Sequence, residues 1–207
     1  MKKEAQKGYV ALVIVSLFWG TTYVASKIGN TYMPAIFLAG IRQFFTGLIM
    51  VTFFLFKKYH FPSRDNLKKI FFQGMLLLFI GNGLLTWSLE FISSGLAAVI
   101  AALVPLFIAL FSTFFSKSAK VSVWMFAGLV TGLTGVCFIF YDYLGQTGNR
   151  SFMTGTFMIL FSVLSWSFGS VYASRQKLSV NILFSVGIQM FISGAMLLLV
   201  CSFQVSI

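Results

Sequence analysis

Acid is scarce in this chain: four Asp and Glu stand against fifteen Lys and Arg in 207 residues. There are also only one histidine, two cysteines and three prolines. Each shortage closes off a chemistry. The four carboxylates are Glu4, Asp65, Glu90 and Asp142. Only Glu90 and Asp142 come near apolar runs, so no carboxylate pair at one depth is available for acid–base work. Asp65 and Asp142 read as solvated. His60 lies between Tyr59 and Phe61 in a basic stretch and has no ligand partners, so it supports no metal site. Cys137 and Cys201 sit inside apolar runs without metal-ligand spacing and read as packing residues. There is no Ser-His-Asp set and no phosphate loop. An enzyme is not expected, and neither a cofactor nor a metal is called for.

Charge of either sign is short as well. Charged residues make up 9% of the chain, where an ordinary soluble domain has about 25%. In their place are 58% hydrophobic residues, 26 phenylalanines and a mean hydropathy of +0.93. No soluble surface can be built from this, and the class is an integral membrane protein. A net charge of +11 suggests nucleic acid, but the cations fall in short clusters between apolar runs rather than on one basic face. No nucleic-acid partner is expected; the partners are lipid and a small molecule. The first apolar stretch, after MKKEAQKG, has no small-residue cleavage site and reads as a retained helix.

A spanning helix needs about 20 mostly apolar residues. Seven such runs fall at roughly 9–29, 34–56, 70–90, 92–116, 121–141, 153–173 and 181–203. Lys2, Lys3 and Lys7 precede the first. Lys57, Lys58, Arg64, Lys68 and Lys69 follow the second, Lys117 and Lys120 the fourth, and Arg175 and Lys177 the sixth. All of these lie at one side; the other holds Arg150 and Lys27. The positive-inside bias then places the N-terminus in the cytoplasm.

Two stretches repeat. GIRQFFTGLIM at 40–50 and GIQMFISGAML at 187–197 match at an offset of 147. The same offset sets Leu17 on Leu164, Trp19 on Trp166 and Val24 on Val171. Residues 9–56 and 153–203 thus read as two copies of a helix pair, with three helices following the first copy. A five-helix unit is odd in length, so its second copy enters from the opposite side, the inverted plan of many secondary transporters. The expected fold is all-α: a polytopic bundle of seven transmembrane helices, part of a ten-helix five-plus-five inverted repeat. The first unit covers 9–141 and the second, with two of its helices, 153–207.

FWGTTYVASKIG, AGIRQFFTGLI, SSGLAAVIAALVPLFIALFS and SWSFGSVYASRQ resemble the EamA-type branch of the drug/metabolite transporter superfamily. The resemblance implies ten helices in two inverted units. It implies export or exchange of small metabolites, amino acids or drugs across the bacterial inner membrane, and a central cavity as substrate site. The last three helices of that plan are not in this chain. The alternative is therefore a transport-inactive fragment, or a subunit that needs another chain; a homodimer is one way to complete a site.

Arg42 lies about eight residues into the second run, roughly 12 Å deep. A cation there costs several kcal/mol unless it is paired or faces water. It is either a substrate-anion residue or a structural tie, and Glu90 is its expected partner. Thr46 shares its face, and Gln189 and Ser193 take the corresponding places in the second copy. Asn82, Thr86 and Glu90 form an i, i+4, i+8 row beside Trp87, a candidate substrate-lining face; Glu90 would serve there, as a coupling-proton carrier, or as a counter-ion. Trp19, Tyr23 and Lys27 form a second row, beside Thr21 and Thr22. Trp19, Thr22, Arg42, Thr46, Asn82, Thr86, Trp87, Glu90 and Gln189 are the candidate substrate-binding residues. Pro105 is expected to break the fourth run, and the small residues around it to pack closely. One Arg and one Glu among aromatics would suit zwitterions such as amino acids.

Overall fold

The computed structural model describes residues 2–115, 123–141, 143, 145 and 148–205. Lys117, Lys120 and Asp142, and the side chains of Lys2, Lys3, Glu4, Lys7 and Cys137, lie outside the described residues. All regular structure described is helical. Apolar surroundings leave backbone groups no water to bond, and a helix satisfies them within one segment. Among the described residues, six helices are long and apolar enough to cross a membrane: Gly8–Gly29, Ala35–Phe56, Arg64–Ser88, Ser94–Phe114, Arg150–Arg175 and Ile182–Phe203. The chain is a polytopic helical bundle. Of the fifth expected run, the described part is the helix Val123–Tyr141, which is not among those six.

The helices are α1 (Lys2–Gly29), α2 (Ala35–Phe56), α3 (Arg64–Gly74), a π-helical stretch Met75–Asn82, α4 (Gly83–Ser88), α5 (Ser94–Ala101), α6 (Val104–Phe115), α7 (Val123–Tyr141), α8 (Arg150–Arg175) and α9 (Ile182–Val205). The third span starts earlier than its apolar run: Ser63 caps α3 by accepting from Asn66 N, and Asp65 sits in its positive first turn. Pro105 acts as expected. The fourth span breaks at Ala102–Leu103, and α6 starts anew at Val104.

The tightest junction is the α2–α9 crossing. A Cβ on Gly47 would overlap the backbone at Phe191, and one on Gly194 the backbone at Phe44. A Cβ on Gly40 would meet Leu198, and one on Gly187 would meet Met50 and Val51. Advancing along α2 therefore means retreating along α9, so the two helices run antiparallel. At this crossing the contacts are also reciprocal: Gly47 meets Phe191 and Gly194 meets Phe44, and Gly40 meets Leu198 and Gly187 meets Val51, each pair being the other moved by 147 positions. Phe44 and Phe191, themselves 147 apart, stack at 5.0 Å between ring centroids. Trp19 and Trp166, likewise 147 apart, meet edge-on at 6.4 Å.

The second junction seats α8 against the third and fourth spans. Leu89, Ile92, Leu96, Ile100, Ile159 and Val163 form its buried core. Gly155 and Gly169 bring α8 close to Phe91 and Leu76. Ser162 and Ser165 donate to the carbonyls of Gly81 and Leu76 at 2.6 and 2.7 Å, so α8 hydroxyls bond carbonyl oxygens of the π-helical stretch.

Candidate functional site

Three spans bring a polar centre together. α2 contributes Arg42 and Gln43, α1 contributes Ser26, and the end of the π-helical stretch contributes Asn82. Arg42 donates through Nη1 to Ser26 Oγ at 3.2 Å and through Nη2 to Asn82 Oδ1 at 3.0 Å. Gln43 Nε2 donates to the same Asn82 oxygen at 3.1 Å and, at a long 3.4 Å, to the Leu78 carbonyl. These contacts fix the amide orientations, because Asn82 must present its oxygen to two donors. Gln43 is 2% exposed and Ser26 2%. Among the described residues Arg42 thus has neutral partners, and two of its five N–H donors are used by them. Two acceptors near this level have no donor, Gln43 Oε1 and Asn30 Oδ1. Asn30 is anchored by its other atom, which donates to the Thr86 carbonyl at 2.8 Å.

Glu90 does not pair with Arg42. Its Oε1 accepts from Ala35 N at 2.9 Å, at the start of α2, where Pro34 offers no side-chain cap. Arg42 lies seven residues further along, about 10 Å deeper. The carboxylate therefore meets the positive end of a helix, where an anion is favoured. Lys27 is its complement. Its ammonium donates to the carbonyls of Leu89 and Ile92, just past the end of α4, where a cation is favoured. Neither snorkelling nor stacking on Tyr23 is needed to account for Lys27.

The other expected residues divide between this centre and other roles. Thr86 is fully buried and donates to the Asn82 carbonyl at 2.9 Å, steadying the turn that carries Asn82. Trp87 packs on the Ile36, Ala39, Leu197 and Cys201 cluster. Thr22 and Thr46 satisfy their hydroxyls on their own helices, at the carbonyls of Phe18 and Arg42. Trp19 is exposed and reaches only Trp166. Gln189 is buried in a separate cluster between α3 and α9: it donates to Gln73 Oε1 at 3.0 Å and to Ser185 Oγ at 3.3 Å. Beside it Ser193 donates to the Gly74 carbonyl at 3.0 Å. Ser26, Asn30, Gln43 and Gln73 are polar members that the sequence reading passed over. Thr22, Ser26 and Asn30 form an i, i+4, i+8 row on α1, one position round from the row read there.

The EamA-like transporter family model matches residues 6–141. The "Uncharacterized inner membrane transporter YedA" of Escherichia coli K12 is 34% identical over 191 residues, which are 91% of this chain and 60% of that relative. The "Uncharacterized transporter YoaV" of Bacillus subtilis 168 is 29% identical over 95% of this chain and 67% of its own length. "Protein PagO" of Salmonella typhimurium is 25% identical over 91% and 62%. The chain thus spans about three fifths to two thirds of these relatives. No solved structure matches it.

Proposed function

The chain belongs to the EamA-like transporter family, and from that premise we propose that it moves small solutes across the bacterial inner membrane, with the Arg42 centre as part of the binding site. The observation that carries this reading is the guanidinium held inside an apolar bundle by the neutral side chains of Ser26 and Asn82. An internal cation is costly, and a solute anion would offset that cost each time it binds. The unpartnered oxygens of Gln43 and Asn30 ask for a hydrogen-bond donor on the same solute. The substrate class that fits is a small molecule carrying a carboxylate or similar anion together with a donor group, as an amino acid does. Export and exchange, driven by an ion gradient or by a counter-solute, are the modes consistent with the family.

The architecture proposed is the inverted repeat, with seven spans in this chain. Parity supports it. α2 is the second span; successive spans alternate in direction. If α7 did not cross, α9 would be the sixth span and parallel to α2. The α2–α9 contacts are antiparallel, which favours a crossing by α7, with α9 as the seventh span. Reciprocal contact between residues 147 apart is what a two-fold axis between them produces. An axis that relates antiparallel spans lies in the membrane plane. The same relation accounts for the bare inner half of α1. Leu12 is 61% exposed while its counterpart Ile159 is 0% exposed, buried by the third and fourth spans. Counterparts of those spans, in the ten-helix form, would cover Leu12 in turn. In this reading the N-terminus is cytoplasmic.

The test is counterflow in proteoliposomes with radiolabelled L-amino acids, small carboxylates and a cationic dye. The expected result is accumulation of a carboxylate-bearing solute, with KM raised about tenfold to a hundredfold in Arg42→Gln, the loss of one charge-assisted contact. Accumulation that is indifferent to Arg42→Gln, or that is confined to the dye, contradicts the reading.

A further inference from the structure

Away from the Arg42 centre, a groove of about 460 Å³ runs between α3 and α9, lined by Arg64, Leu67, Lys68, Phe71, Phe72 and Ile192. Its α3 wall has a fixed order. Arg64, Lys68 and Phe72 stand four residues apart on one face, with Leu67 and Phe71 in the adjoining row. The wall therefore reads Arg, Lys, Phe from the helix start inward, and its surface is almost wholly apolar, with Arg64 and Lys68 lining it through their aliphatic stems. Arg64 to Phe72 covers about 12 Å along the axis. No carboxylate lines the groove. Asp65, the one acid nearby, sits in the first turn of α3, and Lys57, Lys58 and Lys69 surround the same end. α3 opens the third span, so its cations lie at headgroup level and its phenylalanines at acyl-chain level.

We propose that this groove binds one anionic phospholipid, with its phosphate on Arg64 and Lys68 and an acyl chain along Leu67, Phe71, Phe72 and Ile192. Basic pockets between membrane helices recognise anionic headgroups in this way, and the order of cation before apolar wall matches an amphiphile entering from the bilayer rather than a free anion. Ile192 lies between Gln189 and Ser193, the two residues that bond α9 to Gln73 and Gly74 of α3. The lipid therefore bridges the same two helices those bonds join, and its binding stabilises their contact.

The full chain in neutral detergent is titrated with dioleoyl-phosphatidylglycerol or dioleoyl-phosphatidylcholine, with bound lipid counted by native mass spectrometry and the melting temperature followed. The expected result is one phosphatidylglycerol held about tenfold to thirtyfold more tightly than phosphatidylcholine, at about 1 kcal/mol for each cation, with a rise in melting temperature. R64Q/K68Q loses the preference, and K57Q/K58Q keeps it. Ile192→Trp fills the groove with both cations intact and abolishes binding of that lipid. Glycerol 3-phosphate alone gives no shift. Equal binding of the two lipids, an R64Q/K68Q or Ile192→Trp protein that still prefers phosphatidylglycerol, a K57Q/K58Q protein that loses the preference equally, or an equal shift from glycerol 3-phosphate overturns the proposal.

Discussion

Changing Glu90 to glutamine removes a charge but keeps the oxygen that accepts from Ala35 N. The expected effect on thermal stability is small. Glu90→Ala leaves the first turn of α2 without its cap and is expected to cost about 0.5–2 kcal/mol, the range for a lost helix cap. A carboxylate that carried a coupling proton would behave otherwise, since Gln would stop transport as fully as Ala. Measuring melting temperature and counterflow for both variants separates the two roles. The sequence made Arg42 conspicuous, because a guanidinium inside an apolar run has no neutral alternative. It did not disclose the partner. Charge suggested Glu90, whereas depth decided for Ser26 and Asn82. Asn82 was legible as a lining residue but not as the partner of Arg42, and Ser26 passed unnoticed because a serine is cheap in a membrane helix; the approach of three spans joins them. Two signals were available: the Thr22, Ser26, Asn30 row on α1, and Gln43, a second long polar residue beside Arg42 in the repeated stretch.

Among the elements, the α2–α9 crossing is the one that glycine makes possible. Gly47→Ala pushes a methyl group into the backbone at Phe191, and Gly194→Ala does the same at Phe44. Each is expected to cost about 1–3 kcal/mol as an overpacked contact. Gly20→Ala and Gly95→Ala meet nothing within 4 Å and should leave the melting temperature within about a degree of the wild type or raise it, as helix propensity favours alanine. Equal melting temperatures for all four variants would mean that the helices do not cross at these glycines. Much of this level was legible. The runs anticipate the six long helices and Pro105 the break before it, whereas the matched GIRQFFTG and GIQMFISG stretches read as a repeat and did not disclose that they cross. The early start of α3 was hidden, because apolar counting stops at charged residues while a capped helix does not. The π-helical stretch was hidden too. MLLLFIGN has no local signature, and the stretch is stabilised by donors from other spans, Ser162, Ser165 and Gln43.

For the whole molecule, the proposed inverted arrangement would relate two halves facing opposite ways across the α2–α9 crossing, and the proposed transport reading depends on it. The offset of 147 was visible in the sequence as a handful of identities. Its physical content is the reciprocity of contacts, which no single strand of letters can display. The inner half of α1 is an exposed apolar face, one that lipid covers in any bundle and that the proposed repeat would pair with the buried face of α8. The most direct measurement is the sidedness of single cysteines in a background with Cys137→Ser and Cys201→Ser. Cysteines at Gln6, His60, Lys177, Tyr32 and Gly148 are labelled by a membrane-impermeant maleimide in right-side-out and inverted vesicles. The inverted arrangement predicts that Gln6, His60 and Lys177 react from the cytoplasmic side and that Tyr32 and Gly148 react from the other. Gly148 reacting from the same side as Gln6 would set α8 parallel to α1 and contradict it.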